Sequence, residues 1–310
     1  MDKGMKGAIA AGVVAAGTLI GAAAISLARR HTLQVVRMSS GSARVHMVES
    51  EDGCRARVLS QGGVFQSATY LDERRFDPVF AYIKGFDACL VARPQEEPFR
   101  VLVVGGGGFS YPKHLLSTQA PVALDVIEPE PAIIRAARSW FFLDELERTL
   151  TDESQAEKNS LRIFAEEGRA LLERGCAQVF SSTVSSEQEV CLPHYHAIIV
   201  DAFAGAQPVA DLHTVEGVQV LASYLEPGGV HFTNVALSQG GDYTFLRNLV
   251  STMREVYKYV HVIAASDPVW SDTENYIVAA SNTAYAFDHE VAYDDEFLGT
   301  SMYDGDAGGK

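Results

Sequence analysis

From Phe99 onward the chain repeats one hydrophobic pattern. A short continuous apolar run is followed by a turn, and then by apolar positions at helical spacing. Runs at 100–104, 121–127, 161–165, 197–200 and 230–235 read as strands buried on both faces. Helices are expected between and after them, at 111–118, 131–140, 168–174, 214–225 and 243–256. Two further strands, at 259–265 and 276–281, have no helical stretch between them and should form an antiparallel edge hairpin. Alternating strands and helices predict a doubly wound, mostly parallel, seven-stranded sheet. Ahead of Phe99 the period is nearer two. Strands are expected at 44–49, 55–60 and 64–70, joined at Asp52-Gly53 and Gly62-Gly63, and a helix at 76–90.

These elements divide the chain into a segment at 1–30, a linker at 31–43, a small β/helix domain at 44–95, a Rossmann-like domain at 96–284 and an acidic tail at 285–310 with a mobile end. Residues 175–193 read as a loop insertion. The uncharged run at 7–28 would be about 33 Å long as a helix, enough to cross a bilayer core. Arg29, Arg30 and Arg37 follow it, against Lys3 and Lys6 before it, which puts the body on the cytoplasmic side of a membrane anchor. A cleaved signal peptide with Ala22-Ala23-Ala24 at its end is the competing reading. Gly17 and Gly21 form a G-x-x-x-G that allows two such helices to pair, and with them a homodimer.

Composition narrows the partners. The formal net charge is -15 over 310 residues, and the acids concentrate after residue 100. So acidic a body repels phosphate backbones and excludes a nucleic-acid partner, while neutral or cationic substrates suit it. Cys54, Cys89, Cys176 and Cys191 show no C-x-x-C spacing, so no zinc site is expected and no metal is called for. They read as free thiols in a reducing compartment, with a Cys176–Cys191 bridge left open by the spacing.

The candidate chemistry lies at the carboxyl ends of the parallel strands, where open α/β sheets bind ligands. Gly105, Gly106, Gly107 and Gly108 join a buried strand to a helix, so backbone can pass close to a ligand there. Glu128 ends the second strand, where an acid commonly takes the ribose hydroxyls of an adenosine. Glu167 follows the third strand and Asp201 ends the fourth. Any one acid could be a helix cap. Four features at successive strand ends point to an adenosine ligand without phosphate, and best to a sulfonium of the S-adenosylmethionine type. The terminal hairpin belongs to the methyltransferase-like version of the fold.

Residues from about 45 to 281 resemble the spermidine synthase (polyamine aminopropyltransferase) family. The matching stretches, in order, are Gly63-Val64-Phe65-Gln66, Val101 to Gly107, Val126 to Ile133, Glu167-Gly168-Arg169-Ala170-Leu171, Ile198 to Phe203, Leu212 to Glu216 and Leu225 to Gly229. The resemblance implies an S-adenosylmethionine-methyltransferase-like Rossmann fold behind a small β-hairpin unit. It also implies decarboxylated S-adenosylmethionine as donor, a small-molecule amine as acceptor and Asp201 as catalytic base, with Gln66 and Tyr82 lining the amine channel. Two family acids are missing. Gly108 stands where an Asp grips the aminopropyl amine, and Ala204 replaces a second acid after the fourth strand. Asp201-Ala202-Phe203-Ala204-Gly205 is similar to a spermidine synthase-like subgroup often tethered to membranes. These departures predict weak putrescine activity. They leave an S-adenosylmethionine-dependent methyltransferase and a non-catalytic tethered protein as alternatives. Tyr195, His196 and His213 flank the fourth strand and read as structural.

Overall fold

A computed structural model describes residues 32–39, 41–50, 53–152, 159–182, 189–238, 241–266 and 273–308. The first four strands form an antiparallel meander in the order β1 (Thr32–Met38), β2 (Gly41–Glu49), β3 (Arg55–Gln61) and β4 (Val64–Tyr70). The β3–β4 turn is made by Gly62 and Gly63, at φ 60° and 87°, the pair of left-handed conformations a two-residue hairpin requires. β1 lies where a linker was expected. It pairs with β2 and buries Val36 with Val45, Leu59, Ile133 and Phe141, so the sheet begins twelve residues earlier than the sequence pattern suggests. The run at 7–28 lies outside the described residues. Among the described residues no helix is long and apolar enough to cross a membrane.

A short α1 (Ala81–Gly85) and a 3-10 turn (Phe86–Ala92) stand where one helix at 76–90 was expected. Pro78 disfavours helical backbone at Asp77, which delays the start. The second unit then follows: β5 (Phe99–Val104), α2 (Ser110–Thr118), β6 (Val122–Ile127), α3 (Pro131–Trp140), α4 (Leu143–Thr151), β7 (Asn159–Phe164) and α5 (Gly168–Arg174). Helix α4 was not anticipated, although Leu143, Leu146 and Leu150 bury at helical spacing.

The expected loop at 175–193 contains three two-residue strands, β8 (Cys176–Ala177), β9 (Ser181–Ser182) and β10 (Val190–Cys191). β8 and β10 pair with Cys176 opposite Cys191, and these two cysteines form a disulfide. The free-thiol reading therefore holds only for Cys54 and Cys89. The chain continues through β11 (Tyr195–Val200), a small hairpin of β12 (Phe203–Ala204) and β13 (Gln207–Pro208), α6 (Val215–Ser223), β14 (Leu225–Ser238), α7 (Thr244–Arg254), β15 (Tyr259–Ala264) and β16 (Thr273–Ser281).

The main sheet has the order β15-β16-β14-β11-β5-β6-β7-β9. Strands β14, β11, β5, β6 and β7 run parallel, and β16 is antiparallel to both its neighbours. These are the seven expected strands, with β9 added at the β7 edge. Side chains alternate between two buried faces. Val101, Val103, Ala197 and Ile199 join one core cluster, and Leu102, Val104, Ile198 and Val200 join the other. Burial on both faces is why these strands read as unbroken apolar runs.

The tail packs on the body as far as Asp304, and its last two residues lie outside the described residues. Val291 N–H donates to Val262 O at 2.7 Å, Phe297 is buried, and Thr214 Oγ1 donates to Asp304 at 2.6 Å.

Candidate active site

Sheet register brings the strand-end residues to one level. Past the last paired residues the ladder continues by one bond at each strand. Asp201 N–H donates to Val104 O at 2.9 Å, Gly105 N–H to Ile127 O at 2.9 Å, and Glu128 N–H to Phe164 O at 3.0 Å. Asp201, Gly105 and Glu128 therefore stand side by side, although almost a hundred residues separate the first from the second. Gly105 has φ +102°, and a Cβ on it would lie 2.2 Å from Asp201 O. Only glycine permits this approach of loop and base.

Above these ends lies a cavity of about 780 Å³. The main sheet supplies its floor, and the N-terminal unit supplies one wall through Met38, Gln66, Phe80 and Tyr82. Gly105, Gly106, Gly107, Glu128, Glu167, Asp201, Gln66 and Tyr82 all line it. Gly108 does not. It is packed behind Ser67, where a Cβ would meet Ser67 Oγ at 2.6 Å and Phe141 at 3.0 Å.

Strand order divides the cavity in two. Over β5, β6 and β7 sit the glycine loop, Glu128 and Glu167. Glu128 is buried, and its Oε2 accepts from Gly106 N–H and Gly107 N–H, both at 3.0 Å, while Oε1 accepts from Glu130 N–H at 3.1 Å. Burial pushes its carboxyl up despite these three donors. Glu167 occupies the N-cap position of α5 but makes no capping bond there, so the cap reading fails for it. Sequence reasoning missed Glu130. It lines the cavity, and its carboxylate accepts from Ser39 N–H and Oγ–H, joining β1 to this rim. The repeated Glu-Pro of Glu128 to Pro131 was the available signal.

Over β11, β14 and β16 sits Asp201. Asn234 Nδ2–H donates to its Oδ1 at 2.8 Å, and Tyr82 O–H donates to its Oδ2 at 3.4 Å. Asn275 Nδ2–H in turn donates to Asn234 Oδ1 at 3.1 Å. Desolvation by the cavity walls raises the Asp201 carboxyl to about 6, and the Asn234 and Tyr82 donors oppose that rise. Burial and the adjacent Asp201 charge hold the Tyr82 phenol well above its ordinary value, so it stays a donor. Gln66 Nε2–H donates to Gly205 O at 2.9 Å and pins the β12–β13 hairpin over this half. Nothing in the sequence pattern singles out Asn234 or Asn275.

Tyr195, His196 and His213 take no part in the cavity lining. Tyr195 O–H donates to the buried Asp125 at 2.6 Å, His196 Nδ1 accepts from Arg100 N–H, and burial lowers His213 to about 4. Among the described residues no cluster of His, Cys, Asp and Glu could hold a metal ion.

No protein family matches the chain by sequence, and no curated protein matches it. Solved structures do match in three dimensions. A probable spermidine synthase from Corynebacterium glutamicum superposes with a TM-score of 0.59 at 19% identity, over 83% of this chain and 82% of that one. A spermidine synthase in complex with the transition state analogue AdoDATO gives 0.57 at 18% identity, over 86% and 84%. The spermidine synthase from Thermotoga maritima gives 0.57 at 17% identity, over 87% and 84%. The chain has the fold of these enzymes across both of its units.

Proposed function

We propose that this protein is an aminopropyltransferase-type enzyme, moving an aminopropyl group from decarboxylated S-adenosylmethionine to a small amine. One observation carries the reading. The cavity is lined by Glu128, Glu130, Glu167 and Asp201, and among the described residues none of its lining is Arg, Lys or His. A donor bearing a sulfonium and an ammonium, with its carboxylate removed, suits that field. Intact S-adenosylmethionine would bring a carboxylate that finds no cationic side chain there.

In the reaction the lone pair of a neutral amine forms the new C–N bond. The C–S bond breaks, and its electron pair stays on sulfur, giving neutral methylthioadenosine. The product ammonium then releases one proton. Asp201 accepts it, and a carboxyl held to about 6 is ionised yet basic at neutral pH. Asn234 and Tyr82 fix the orientation of that carboxylate. Glu128 is the proposed ribose acceptor at the other end of the cavity, so donor and base are held on one rigid set of strand ends.

Calorimetric titration with decarboxylated and with intact S-adenosylmethionine tests the reading. Preference for the decarboxylated form, with methylthioadenosine released on adding an amine, is the expected result. Preference for the intact form would make the protein a methyltransferase, and binding of neither would make it a non-catalytic protein. Glu128→Gln should weaken methylthioadenosine binding by about 2–3 kcal/mol, since an amide replaces charge-assisted acceptors.

The apolar run at 7–28 is proposed as a membrane anchor with the body on the cytoplasmic side. The Cys176–Cys191 bridge, a feature of oxidising compartments, pulls against that side.

A further inference from the structure

We infer that the acceptor is an amine with a single ammonium group on an apolar or aromatic body, and that diamines are poor acceptors. This rests on the aminopropyl-transfer reading and concerns the half of the cavity over β11, β14 and β16.

Among the described residues Asp201 is the one carboxylate lining that half. Its polar neighbours are already committed. Asn275 donates to Asn234, Asn234 to Asp201, and Gln66 to Gly205 O. Much of the remaining wall is a row of aromatic rings. Phe65 and Phe80 stack at 6.4 Å, Phe80 and Tyr82 at 6.1 Å, and Tyr82 meets Phe86 edge-on at 6.0 Å. The β12–β13 hairpin contributes Phe203, Ala204 and the uncharged Gln207.

The other acids are out of reach or engaged. Glu167 follows β7, three strands from β11, which is about 14 Å across the sheet. Glu128 holds the glycine-loop N–H groups and Glu130 holds Ser39. A first amine therefore finds Asp201. A second ammonium on the same molecule would lie against rings and uncharged side chains, with no counter-charge among the described residues. Ring faces repay only part of the cost of desolvating it. An alkyl or aryl body in the same place gains from burial.

The test uses the full-length protein and amines matched in length. Methylthioadenosine release from decarboxylated S-adenosylmethionine is measured with n-pentylamine, 2-phenylethylamine, pentane-1,5-diamine and putrescine. In parallel, each amine is titrated calorimetrically into the protein saturated with methylthioadenosine. The monoamines should exceed the diamines by about tenfold or more in kcat/KM and in affinity, the worth of one unpaired charge. Ala204→Asp should move that ratio toward the diamines by about tenfold, because its side chain is exposed to the cavity and can supply the missing charge. Tighter binding or faster turnover of either diamine by the wild-type protein would overturn the inference while leaving aminopropyl transfer intact. Selective monoamine binding without turnover would support the acceptor class and overturn the reaction. Absence of binding by all four amines would overturn the inference.

Discussion

Asn234 donates its side-chain amide to Asp201 at 2.8 Å, joining the end of β11 to the middle of its neighbour β14. The bond favours the ionised carboxylate, and so works against the desolvation that raises it. Asn234→Leu removes the donor and should lift the Asp201 carboxyl further above 6. A charge-assisted bond of about 1.5–3 kcal/mol corresponds to about 1–2 pH units. The acid limb of kcat/KM against pH should therefore move to higher pH by that amount. An acid limb that stays in place in a folded Asn234→Leu protein would remove Asp201 from the role of base.

Asp201 itself should cost stability. Its folded carboxyl sits near 6, above the ordinary 3.8, so the native state holds the proton more tightly than the unfolded chain. The penalty for ionising it is absent below about pH 4, grows as pH rises through 6, and is then constant. Asp201→Asn should stabilise the protein at pH 8 by about 1–3 kcal/mol, the lower figure reflecting partial solvation from the cavity. Near pH 4 the gain should vanish. Thermal unfolding at both pH values measures this, and equal gains at both would show that the carboxyl is not raised.

Gly108→Asp should not restore a grip on the aminopropyl amine. The obstacle is space, because a Cβ at that position would overlap Ser67 and crowd Phe141, which leaves no room for a carboxylate to reach the cavity. The substitution should destabilise by about 1–3 kcal/mol through overpacking, with no gain in diamine turnover. A folded Gly108→Asp protein of unchanged melting temperature and improved putrescine activity would contradict the placement of Gly108.

Alkylation before and after reduction checks the bridge and the compartment together. Denatured without reductant, the protein should expose the two thiols of Cys54 and Cys89, and after reduction four. Cys89 is buried, with its thiol pushed up to about 12, so it should react only on unfolding. Four thiols in protein taken directly from cells would show that the bridge is open where the body lies, as the proposed cytoplasmic side requires.

Much of the fold was legible because its information is local. Val101 to Val104 and Ile198 to Val200 are apolar without interruption since both faces of those strands are covered, and Gly62-Gly63 admits a tight hairpin. Helix α4 was equally legible. Its Leu143, Leu146 and Leu150 carry the same spacing signal as the helices that were recognised.

The sequence by itself determined the parallel sheet, the glycine loop and the acids at its strand ends, because strand ends follow from where apolar runs stop. Tertiary structure alone decided what surrounds Asp201. Asn234 and Tyr82 reach it from two different elements, Asn275 backs Asn234 from a third, and each lies in a stretch whose own pattern concerns burial alone. The direction of Gly108 was likewise invisible, since it depends on Ser67 across the interface with the N-terminal unit. The same holds for β1, whose pairing with β2 gives a segment of weak pattern its partners, and for Cys176 and Cys191, brought face to face by β8 and β10. Contacts between residues far apart in the chain depend on how whole elements pack, and hydrophobic periodicity records only that an element is buried, not which side chains it meets.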